Sequence, residues 1–134
     1  MTTTTKPEFR APSQMPPASP MAPVSPSPLV GTWKSKSNNV VEAVITASGA
    51  ALKVHLFGAC VPKPCDWGAV SATSYSATVA GGPADAFSAN YNFGFSTVLV
   101  VGHLQGSLLI LETMTHFTDG SGRANFYFTE TMTK

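Results

Sequence analysis

His116, Asp119 and Ser121 stand together around one glycine-rich turn, Asp119-Gly120-Ser121-Gly122. An imidazole, a carboxylate and a hydroxyl are the groups from which hydrolases assemble a base, its orienting partner and a nucleophile. Closeness in one hairpin does not supply the ordered hydrogen bonds that such a relay requires. Asp-Gly-Ser-Gly is more simply a turn, with glycine free to take positive φ. The carboxylates Glu42, Glu112 and Glu130 fall on separate predicted strands, and nothing sets two of them at acid–base distance. The residues therefore assign no catalytic group and no cofactor, and they point away from an enzyme.

Cys60 and Cys65 enclose four residues, two of them proline. That loop is predicted to close as a disulfide, contributing about 2 kcal/mol by the chain-entropy estimate. A redox pair fits less well, because the spacing is not Cys-X-X-Cys and no helix follows to lower a thiol pKa. A zinc site needs four ligands. Only His55, His103 and His116 could join the cysteines, and none sits at ligand spacing. No metal is expected. A disulfide points to an oxidising compartment.

The aromatic residues Trp67, Tyr75, Tyr91 and Phe93 are the remaining candidates for chemistry, as a ligand-binding set. Barrel mouths grip apolar molecules or sugars with such side chains. The competing explanation is ordinary core packing.

The elements that would position these residues are strands. Strand-type runs occur at about 30–36, 40–47, 50–58, 67–79, 86–93, 95–104, 107–117 and 122–133, separated by Asn, Gly, Ser and Pro turn signals. Helical periodicity is absent. Short turns between consecutive strands predict an all-β fold, an eight-stranded antiparallel up-and-down meander closed into a barrel. Two of these strands are apolar on both faces. Val98 and Val100 alternate with Leu99 and Val101, and Leu109 and Leu111 with Leu108 and Ile110. A barrel strand facing water should show one polar face. A homo-oligomer is therefore expected, with Val98, Val100, Leu109 and Leu111 in its interface.

The barrel is predicted to span residues 29–134, preceded by a proline-rich arm over 1–28 that holds 8 of the 11 prolines. Pro17, Pro20, Pro23 and Pro26 recur every third residue, the period of polyproline II. The arm reads either as a linker or as a segment docking on a neighbouring subunit. Charged residues make up 11% of the chain, against about 25% in a typical soluble domain. Basic and acidic residues nearly balance, at a net charge of +1, so nucleic acid is not an expected partner. No apolar run approaches the ~20 residues of a membrane span. Residues 1–7 lack the apolar run of a secretory signal.

Gly31-Thr32-Trp33, at the start of the first predicted strand, resembles the Gly-X-Trp signature of the calycins, which include lipocalins, fatty-acid-binding proteins and avidins. The resemblance covers Leu29 to Lys134. It implies an eight-stranded barrel in which Trp33 packs at the closed end under an arginine of the last strand, here Arg123, as a structural plug. It also implies a small-ligand carrier. With only Trp33 and Trp67, the chain lacks the several tryptophans that line avidin's biotin site. The segments 58–68 and 115–123 are also similar to segments of small bacterial proteins without an assigned activity. Two functions follow: a self-assembling interaction module, and a calycin-like binder of a small ligand.

Overall fold

A computed structural model describes residues 23–134. The arm predicted over 1–28 lies, as far as Ala22, outside the described residues. The strands are β1 (Val24–Ser25), β2 (Gly31–Lys34), β3 (Val40–Ser48), β4 (Ala51–Gly58), β5 (Cys65–Ser76), β6 (Gly82–Asn92), β7 (Ser96–Gln105), β8 (Leu108–Phe117) and β9 (Phe126–Met132). From β2 to β9 each strand pairs antiparallel with the next, in chain order. The ring nearly closes. Lys34 and Thr133 exchange two backbone hydrogen bonds, at 2.8 and 2.9 Å, and join the end of β2 to the end of β9. The fold is the predicted eight-stranded meander barrel.

Period-two alternation sets the walls. On β7, Ser96, Val98, Val100 and Gly102 are buried, and Leu99 and His103 in the other phase are exposed. Leu109, Leu111 and Thr113 are buried on β8. Val98, Val100, Leu109 and Leu111 therefore fill the barrel, at 0–3% exposure, and are not free to form an interface. The sequence-based interface assignment took the wrong phase of two strands that are apolar on both faces. The outward residues are Leu99, Val101, Leu108 and Ile110. Phe87 reaches across to Gly102, where an added Cβ would lie 2.3 Å from the ring. Only glycine admits that approach.

The turns after β3, β5 and β7 lie at one end of the barrel, and the loops after β2, β4, β6 and β8 at the other. Residues 23–30 seal the first end. β1 pairs in parallel with the start of β6, at Gly82 and Pro83. Ser27–Leu29 form one 3-10 turn that delivers Leu29, fully buried, into the core. Pro26 opens this turn with φ −77° and ψ −5°. Its backbone is helical there and departs from the polyproline II path expected from the proline spacing. The Trp33 indole N–H donates to the Leu29 carbonyl at 2.9 Å. Lys134, not Arg123, lies over the Trp33 ring, its Nζ 5.0 Å from the centroid. Arg123 precedes β9 in the loop at the opposite end.

β2 stops after four residues for a local reason. Short polar side chains that follow capture nearby backbone. The Ser35 and Ser37 hydroxyls donate to the Val40 carbonyl at 2.7 and 3.0 Å, and Ser37 Oγ accepts from the Asn39 amide at 3.0 Å. These bonds turn the chain out of the sheet before it can run alongside β9.

Candidate functional site at the open end

The unsealed end holds a cavity of about 380 Å³. Trp67 enters it from β5, Phe93 from the turn after β6, and Val98 and Thr115 from the inner faces of β7 and β8. Asn39, Phe95, Ser96, Phe117, Arg123 and Phe126 complete the wall. Gly68, with φ +87°, sits beside Trp67 at an irregularity in β5. Disulfide-distance sulfurs join Cys60 to Cys65, whose Cα atoms are 5.4 Å apart, and so tie off the loop that leads into Asp66 and Trp67. Asp66 accepts from the Gly68 amide at 2.7 Å and contacts His55. The His55 contact, then the Gly68 amide, hold the Asp66 carboxyl below the usual carboxylate range.

The rings form a connected set. Trp67 meets Tyr91 and Phe93 edge-on at 5.8 and 5.7 Å, Tyr91 stacks on Phe93 at 5.5 Å, and Phe93 stacks on Phe95 at 6.1 Å. Across the mouth, Phe117 lies 6.1 Å from Phe126. The Arg123 guanidinium sits 4.2 Å from the Phe117 centroid and 5.5 Å from that of Phe95. Its own loop holds it there: Nη2 donates to Asp119 at 2.8 Å and Nε to Ser121 Oγ at 2.9 Å. Hydrogen bonds from Ser121, and then the guanidinium, keep Asp119 below the usual carboxylate range. The pair brings a cation to the rim with its counterion already in place.

Comparison with known proteins finds no matching family, no similar curated protein and no similar solved structure.

Of the four aromatic residues singled out from the sequence, Trp67 and Phe93 line the cavity. Tyr91 lies beneath them. Its hydroxyl accepts from the Leu56 amide at 3.2 Å and has the Gly68 and Val54 carbonyls at 2.7 and 3.1 Å for its one proton. Burial pushes its pKa up to about 12. Tyr91 braces the irregularity in β5 and supports the Trp67 and Phe93 rings from below, without lining the cavity itself. Tyr75 points outward, 47% exposed, and bonds Ser88 at 2.7 Å. It is remote from the mouth.

Ser121 is bonded to Arg123 and Asp119, and His116 is exposed on the outer face of β8. No nucleophile–base bond joins Ser121 to His116. Among the described residues no cluster of three or more His, Cys, Asp or Glu could hold a metal ion. Nor is any described helix long and apolar enough to cross a membrane.

Sequence reasoning missed Asn39, Phe95, Ser96, Phe117 and Phe126 at the mouth. The available signal was positional. Each sits within two residues of a turn at the same end of an up-and-down meander.

Proposed function

We propose that the open end of the barrel binds a small, flat, largely apolar molecule. One observation carries this reading: the barrel is packed at its sealed end and leaves an aromatic-walled space of about 380 Å³ at the other. Small-ligand pockets fall at about 300–1,000 Å³ and combine apolar walls with a few fixed polar groups. The rings of Trp67, Phe93, Phe95, Phe117 and Phe126 supply the walls, and Asn39, Ser96 and Thr115 the polar groups. Because Asp119 already neutralises Arg123, the site favours a neutral ligand over an acid. The Gly31-Thr32-Trp33 resemblance to the calycins supports the same reading, since those barrels carry small ligands at the open end.

The test uses an aromatic probe and fluorescence. Naphthalene, a neutral flat hydrocarbon, should bind the wild-type chain saturably and change its tryptophan emission. Trp67→Ala should weaken binding at least tenfold, about the 1.4 kcal/mol minimum expected on losing a central aromatic contact. Tyr75→Ala, on the outside, should bind as wild type does. No saturable binding, or equal affinity in the wild type and Trp67→Ala, would refute the assignment.

A further inference from the structure

β9 has one uncovered edge. It pairs with β8 over its whole length, from Phe126↔Thr115 to Met132↔Leu109, without a register shift. On its other side, among the described residues, the only strand contact is Lys34 with Thr133. That contact fixes the phase. The Thr133 N–H and C=O both point toward β2. Backbone groups alternate sides along an unbulged strand. The N–H and C=O of Tyr127, Thr129 and Thr131 therefore point the same way, and no described strand reaches them.

The side chains tell the same story. Phe126 and Phe128 belong to the inward phase of β9 with Glu130 and Met132, yet they are 44% and 37% exposed. Their partners in register, Thr115 and Thr113, are half-buried and buried on β8. The wall is missing beside β9, where the hydroxyl-capped turn of Ser35–Asn39 diverts the chain. Tyr127, at 71% exposure, is the most exposed aromatic residue described.

We propose that this edge pairs, antiparallel, with the same edge of a second copy of the chain. A two-fold contact needs only one self-complementary surface. An axis through Thr129 sets Thr129 opposite Thr129 of the second copy and Tyr127 opposite Thr131, so all three outward-pointing N–H and C=O pairs find partners. Protected edges carry lysine, proline, a bulge or an inward charge exposed to an incoming strand. Phe126–Thr129 carries none of these, and its neighbour Glu130 is 2% exposed. Two such edges therefore meet without repulsion. The outer face of β7 and β8, where Leu99 and Met114 are 39% and 40% exposed, continues from the joined strands and adds apolar contact. Phe126 belongs to both this edge and the mouth cavity, but the contact rests on the β9 backbone and not on ligand binding there.

The experiment is sedimentation velocity of the full chain over a wide concentration range, with two variants. Thr129→Pro removes one edge donor and leaves the ladder to β8 intact, since that N–H points away from β8. Tyr127→Lys places a charge on the same edge. The wild type should show a reversible monomer–dimer equilibrium. Each variant should raise the dissociation constant at least tenfold with an unchanged β-type circular dichroism spectrum. If Thr129→Pro does not fold, Tyr127→Lys decides alone. A wild type that stays monomeric at the highest concentration overturns the proposal. So does a dimer insensitive to the folded edge variants but broken by Leu99→Glu.

Discussion

Trp33→Ala is expected to lower folding stability by roughly 3–5 kcal/mol, the usual range for truncating a large buried aromatic residue. Trp33 is 2% exposed at the sealed end, packed in the same core as Leu29. Its loss leaves a cavity and also strips the Leu29 carbonyl of its indole donor. Residues 23–30 close the barrel through that contact, so their hold weakens in the same step. Lys134→Met removes the exposed cation over the ring and its 3.1 Å hydrogen bond to the Val30 carbonyl, and should cost about 0.5–1 kcal/mol. Urea unfolding checks both. A loss below that of Lys134→Met would mean that the indole is not the plug.

Glu130→Gln is expected to stabilise the chain at neutral pH by about 1–3 kcal/mol, because it removes a buried negative charge from a site that desolvates it while keeping the side chain's shape. Glu130 is 2% exposed, and its Oε1 has no hydrogen-bond partner. Oε2 lies 3.2 Å from the Ser37 hydroxyl, whose one proton it shares with the Val40 carbonyl at 3.0 Å. Desolvation raises the Glu130 pKa above its ordinary 4.5, opposed in part by Ser37, the Val40 amide and Asn39. The sign follows from linkage. Between the unfolded and folded pKa values the native state holds the proton more tightly than the unfolded chain. Stability contributed by this group is thus full in acid and is lost as pH climbs through that window. Above it the whole cost of a buried carboxylate remains. The Gln variant lacks this fall, so the difference between the two proteins should open with rising pH from about 4.5 and then level off. Parallel stability–pH curves would show that Glu130 titrates alike in both states.

The barrel was legible because period two and turn chemistry agree at nearly every hairpin. The turn signals Ser48-Gly49, Gly94 and Gln105-Gly106 each fall at a junction of observed strands, with Gly49, Gly94 and Gly106 between them. Strand phase was not legible in β7 and β8, since Val98–Val101 and Leu108–Leu111 are apolar in both phases. Gly102 held the missing clue: a glycine within a strand marks a close approach, here by the Phe87 ring, and so marks the inner face. Arg123 was misplaced because residues 122–125 were read as strand. They belong to a turn held by Asp119, Ser121 and Asn125, and β9 starts only at Phe126. At the mouth, Trp67 and Phe93 were visible as aromatic residues. Their neighbours come from around three different loops, and no spacing along one chain segment reveals such a meeting.

The single bridge between Lys34 and Thr133 also sets an order of events in folding. Along the meander every pairing joins sequence neighbours across a short loop, so each hairpin forms with little loss of chain entropy. The bridge instead ties the first strand of the ring to the residue after its last, across almost the whole described chain, for two hydrogen bonds. Its closure entropy is the largest in the sheet and its local return the smallest. Ring closure is therefore expected to be the last step of folding and the first to reverse, with that seam opening while the hairpins stay formed.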